Sequence, residues 1–133
     1  MRAYACCQCA NGVWLDLGEP AADVATTRVV LTMGPLPAPA LVRKPIAAIR
    51  HWLAWRYSSA YRRIHPLSDT RIRYYEALRC YAAMLHVAQR RLAARAGITL
   101  ARETYAWSAP EQVAKMTRHF EHVTGVTLLL PAL

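Results

Sequence analysis

"LDLGEPAADVATTRVVLTMG" (residues 15–34) decides how this chain is read. Gly18-Glu19-Pro20 forms a turn, and proline is favoured in the first turn of a helix, where its missing N–H leaves nothing unpaired. The spacing predicts a helix from Pro20 to about Met33. Its fourth residue is a carboxylate, Asp23, with Glu19, Thr26, Thr27 and Val30 as near neighbours on the helix. A carboxylate there gains from the helix dipole and the free first-turn amides. It can equally serve a partner beyond the helix, and residues alone leave both readings open.

Working outward, "GPLPAPA" (34–40) carries three prolines and stops this helix in a short rigid link. Val42, Ile46, Ile49, Leu53, Tyr57, Ala60 and Ile64 then recur at spacings of three and four, which predicts a second helix over about 40–65 with that stripe inward. Pro45 is expected to kink it or shift its start, and Pro66 to end it. Ser68 or Asp69 can cap a third helix reaching about Ala96, with Gly97 as its stop. Its expected stripe is Ile72, Tyr75, Leu78, Ala82, Leu85, Ala88 and Leu92. Ser108-Ala-Pro-Glu111 reads as a capping box. A fourth helix follows, with Val113, Met116, Phe120 and Val123 inward and Gly125 closing it, and the apolar tail "VTLLLPAL" is expected to pack back. Upstream, "YACCQCA" reads as a short strand. The expectation is one mainly α domain over 1–133: a strand and turn over 1–18, then four helices over 19–133.

The composition narrows the function. No apolar run approaches the roughly 18–20 residues of a membrane span, and the N-terminus lacks a convincing signal peptide, so the chain reads as soluble and cytoplasmic. Cys6, Cys7 and Cys9 are too crowded for a secreted disulfide framework. A metal reading needs Cys6, Cys9 and Cys80 plus a fourth ligand; the simpler reading makes each a small buried hydrophobe. The formal charge is +9. Such a balance attracts nucleic acid, phosphorylated metabolites or acidic surfaces, although an Arg- and Ala-rich composition also follows from GC-rich coding.

Among candidate site residues, His119 and His122 lie one turn apart and can share a metal, but the acid nearest in sequence, Glu121, falls on another face. They read as solvated surface histidines. Trp52, Trp55, Tyr74 and Tyr75 can stack bases, or form the edge of the core. Arg43, Arg50 and Arg63 read as the wet face of the second helix. There is no nucleophile elbow, phosphate-cradling glycine loop or zinc-protease histidine pair.

"GEPAADVATTR" resembles the G-D-P-x-x-D-x-A element of the aminoglycoside phosphotransferase and choline kinase-like superfamily, with Glu19 where Asp is usual. "RIRYYEALRCYAAMLHVAQRRLA" (71–93) resembles the long helix of that family's C-terminal lobe, and "YAWSAPEQVAKMTRHFEHVTGV" (105–126) its closing segment. The resemblance covers about 14–133 and implies the helical, C-terminal kinase-like subdomain of an ATP- and magnesium-dependent phosphotransferase. It implies that Asp23 accepts hydrogen bonds from the catalytic-loop backbone, supporting the loop without taking part in catalysis. By the family's spacing the magnesium ligand would fall on Asn11, which brings a carbonyl and no charge to a hard cation; Asp16 is a second registration, too close to the helix. The family's H-G-D-x-x-x-x-N element and nucleotide lobe do not fit within the ten residues before Asn11. The expectation is therefore a truncated or split product, inactive alone and without its own cofactor, whose partner is the missing kinase portion or a second copy. No acid lies between Asp23 and Asp69, so any small substrate is expected to be neutral or anionic. The other expectation is a stand-alone basic helical module binding nucleic acid or a protein.

Overall fold

The structure, a computed structural model, describes residues 19–35, 38–98 and 106–130. Within them the chain is mainly helical: α1 (Pro20–Met33), α2 (Ala40–Ile64), α3 (Asp69–Arg95) and α4 (Pro110–Thr124), with a short 3-10 turn at Ala106–Ser108 before α4. The expected N-terminal strand, Cys6, Cys7, Cys9, Asp16 and Asn11 lie outside the described residues.

α1 is the central element. Among the described residues it packs against α2, α3 and α4, whereas α2 packs chiefly against α1, and α3 against α1, α4 and the 3-10 turn. Its composition suits that place, since Ala21, Ala22 and Ala25 let neighbours approach closely, while Val24, Val29 and Met33 fill the space between. The core divides at the middle of α1. At one end Ala21, Val24 and Ala25 meet Ile72 of α3, with Tyr61, Leu67 and Tyr75 packed around them. At the other, Val29 and Met33 meet Cys80, Met84 and Met116, flanked by Trp107 and Phe120. Leu128 and Leu130 pack on this second cluster, so the apolar tail does fold back.

A polar layer separates the two clusters. Arg28 Nε donates to Glu76 Oε1 at 2.8 Å, and Arg79 Nε donates to Thr26 Oγ1 at 2.9 Å.

The helix ends follow local chemistry. Gly97 (φ 68°) lets α3 finish in a Schellman arrangement, its N–H donating to Ala94 O at 3.2 Å and Ile98 N–H to Ala93 O at 2.9 Å. Gly125 (φ 72°) closes α4 in the same left-handed region. The capping box is displaced: Ala109 is the N-cap of α4 and Pro110 its first residue, with Ser108 in the preceding 3-10 turn. α2 runs through Pro45, which removes one backbone bond near its start without ending it.

Two inward faces differ from the sequence reading. On α2 the buried residues are Ala54 and Ser58, while Ile49, Leu53 and Ile64 of the expected stripe are exposed. On α3 the buried face runs through Ile72, Glu76, Ala77, Cys80, Met84 and Val87, leaving Leu78, Leu85 and Leu92 in solvent. Trp52, Trp55 and Tyr74 are also exposed, rather than edging the core. On α4 the reading holds, with Val113 and Met116 buried and Phe120 and Val123 half-buried.

Arg50 likewise leaves the wet face assigned to it. Its guanidinium donates to Val30 O (2.6 Å) and Gly34 O (2.9 Å), and Lys115 Nζ donates to Thr32 O (2.6 Å). Two cations from different helices thus meet the carbonyl end of α1, where the helix dipole is negative. Burial, with Arg50 and Arg118 nearby, holds the Lys115 ammonium below the usual lysine value.

Candidate functional site

Asp23 sits in the first turn of α1, half-buried. Glu19 is the N-cap, and its carbonyl accepts the Ala22 and Asp23 amides at 2.9 and 3.4 Å. The Glu19 carboxylate is directed elsewhere, 3.5 Å from Arg71 Nη1. Among the described residues no hydrogen bond or ion pair engages the Asp23 carboxylate. Its charge is felt by Tyr61 of α2, whose phenol is raised first by burial and then by Asp23 and Tyr57.

One turn further along, Arg28 lines two adjoining clefts. The first, about 290 Å³, lies between α1, the start of α3 and the end of α4, and Asp69, Arg73, Glu76, His119 and His122 contribute its polar groups. Glu76 is almost fully buried there, with Oε1 on Arg28 and Oε2 3.4 Å from His119 Nε2. That second contact lacks hydrogen-bond geometry, and His119 Nε2 is buried without a hydrogen-bond partner among the described residues. Buried polar atoms are seldom left so, and water or ligand is the usual remedy. His119 is therefore not a solvated surface histidine: it faces an acid from another helix, while His122 remains exposed. Among the described residues no group of three or more His, Cys, Asp or Glu side chains is arranged to hold a metal.

The second cleft, about 240 Å³, lies between α1 and α2. Arg28 and Thr32 form its floor, and His51, Ala54, Trp55, Ser58, Ser59 and Arg62 its α2 wall. Among the described residues no carboxylate lines it. Ser58 Oγ donates to Ala54 O at 2.7 Å, but the side chains of Ser59, His51 and Trp55 make no hydrogen bond among the described residues. An ion pair between Arg62 and Asp69 joins the two clefts.

Sequence reasoning singled out Asp23 but missed Arg28, Glu76, Arg62 and His51. One signal was available for Glu76: it stands four residues from both Ile72 and Cys80, a charge set within the buried stripe of α3. The expected magnesium position, Asn11, lies outside the described residues. No family model, curated protein or solved structure matches this chain.

Proposed function

We propose that the chain is the helical, acceptor-side portion of a phosphotransferase resembling the aminoglycoside phosphotransferase and choline kinase-like superfamily. In the complete enzyme the terminal phosphate of ATP would pass to a hydroxyl of a small molecule. The observation that carries this reading is Asp23: a half-buried carboxylate at the start of the central helix, without a hydrogen-bond partner among the described residues. A group in that position is suited to receive amides from an adjoining loop. Phosphoryl transfer depends mainly on positioning and charge stabilisation, and a rigid loop support is part of the positioning. The clefts beside α1 would face the acceptor.

Residues 1–133 contain no H-G-D-x-x-x-x-N element, so the purified chain should leave ATP intact in magnesium buffer. Fused at Gly18 behind the nucleotide-binding and catalytic-loop portion of a family member, it should support ATP consumption stimulated by an acceptor hydroxyl. Asp23→Asn should remove that activity. A folded, soluble fusion without turnover, or magnesium-dependent turnover by the chain alone, overturns the reading.

One observation favours a second reading. α2 carries six cations and no acid, exposes Trp52 and Trp55, and holds Arg56 over the Trp52 ring at 5.8 Å. Cations interleaved with exposed aromatics suit single-stranded nucleic acid. A log-linear fall of RNA affinity with salt, reduced in slope by Arg56→Gln, would support that reading.

A further inference from the structure

We infer that the cleft between α1 and α2 binds a small molecule carrying an oxyanion, a phosphate or carboxylate, beside an aromatic or other flat ring. This deepens the proposed function and rests on it only in treating the ligand as an acceptor.

Arg28 and Arg62 each use one edge of the guanidinium on an acid outside this cleft, Glu76 and Asp69. Those pairings fix the two side chains, and among the described residues no hydrogen bond engages the Arg28 Nη groups or the Arg62 Nη1. Planar guanidinium forks held in this way match oxyanions, which accept two parallel N–H bonds. Both acids line the neighbouring cleft, so each holds its arginine from the far side, and among the described residues none lines this cleft itself. Ser59, His51 and the Trp55 indole N–H add donors along one wall. The Trp55 ring, 61% exposed, offers the flat surface. A polycation would meet two arginines and, among the described lining residues, no acid, which disfavours polyamine-like acceptors in this cleft.

The probe is phenyl phosphate, with phenol, inorganic phosphate and spermidine for comparison, titrated into the full 133-residue chain by calorimetry at low salt. Phenyl phosphate should bind saturably with one site, inorganic phosphate several-fold more weakly, and phenol and spermidine not measurably. Arg62→Gln and Trp55→Leu should each weaken phenyl phosphate at least fivefold. Arg43→Gln removes a cation whose Nε instead meets Ala38 O at 3.1 Å, outside the cleft, and should leave affinity unchanged. Equal weakening by Arg43→Gln and Arg62→Gln would mean diffuse attraction to a basic chain and would overturn the site, as would no saturable binding by a protein shown to be folded. Neither result touches the Asp23 reading, because no nucleotide or turnover enters the measurement. Conversely, saturable binding with an inactive fusion would leave the site standing while the phosphotransferase reading falls.

Discussion

Arg28 and Glu76 share one ion pair but not one environment. The Glu76 side chain is 5% exposed and the Arg28 side chain 37%, so water reaches one partner and not the other. Breaking a buried pair is costly because an uncompensated charge stays behind, about 3–5 kcal/mol when that charge is dry. Arg28→Met strands the carboxylate, with only the poorly aligned His119 contact left, and should cost about 3 kcal/mol. Glu76→Gln keeps the shape and leaves an arginine that can turn to water, so about 1–2 kcal/mol is expected. Urea midpoints at equal slope compare the two; equal losses would mean that Arg28 is as dry as Glu76. Asp23 stands at the other extreme. With no engaged partner among the described residues, its carboxylate contributes only the helix-end benefit, about 0.3–1 kcal/mol. Asp23→Asn should therefore change stability by less than about 1 kcal/mol, and a loss well above 2 kcal/mol would reveal a buried partner. Cys80 offers a third readout. Burial first, and Glu76 second, push its thiol up to about 12 from a reference of 9.0. The folded state thus keeps the proton that the unfolded chain releases, so this contribution to stability is intact below pH 9 and fades as pH climbs toward 12. Alkylation at mildly alkaline pH should spare Cys80 until urea is added, since the thiolate is the nucleophile; mass spectrometry of the modified peptide reads the outcome.

At the scale of elements, the boundaries were legible and two of the inward faces were not. Proline and glycine act through local sterics: Pro20 opens α1, Gly97 and Gly125 close α3 and α4, and no distant contact is needed to place them, while at α4 Pro110 takes the first position and displaces the expected Ser108 cap. An apolar stripe reports which side of a helix avoids water, but the buried side is the one that has a neighbour. On α2 that side is Ala54 and Ser58, whose small side chains admit α1, together with Arg50, whose guanidinium completes the carbonyl end of α1. An arginine read from sequence as wet is thus one of the groups holding α2 in place. Capping by a side chain twenty residues away leaves no local pattern in the sequence. Gly34 tests this junction. A Cβ there would press on Val30 O and come within 2.8 Å of Arg50 Nη2, so Gly34→Ala should cost about 1–3 kcal/mol by overpacking. Gly97→Ala meets open space and should cost only about 1–2 kcal/mol for its left-handed backbone. The distinction lies in coupling: Gly34→Ala and Arg50→Met share one contact and should be non-additive in a double-mutant cycle, whereas Gly97→Ala and Arg50→Met should add. The candidate site was legible to a similar extent. Asp23 was visible because its turn is local; the Arg28–Glu76 and Arg62–Asp69 pairs join different helices and appear only once α1, α2 and α3 are assembled.

For the whole molecule, the same two misread faces become a property. α3 exposes Leu78, Tyr81, Leu85 and Leu92, at spacings that place them along one side, while α2 exposes Ile49, Trp52, Leu53 and Ile64. Contiguous apolar surface beyond a few hundred Å² is uncommon on monomers and marks a surface that meets something. Against that attraction stands a formal charge of +9, which repels a second copy and is screened beyond about 10 Å at 0.1 M salt. The two terms respond to salt in opposite ways, which makes the balance measurable. Sedimentation velocity across the micromolar range should show the mean mass rising with protein concentration, and rising further with added sodium chloride at fixed concentration. Leu85→Glu on α3 and Leu53→Glu on α2 replace exposed apolar groups, so neither should unfold the chain, and the one on the contacting face should return it to monomer. Association that weakens with salt would instead point to the charged surface, with a bound polyanion bridging copies, and nuclease treatment would then abolish it. A monomer at every concentration and salt level would mean that the exposed apolar faces of α2 and α3 do not hold two copies together.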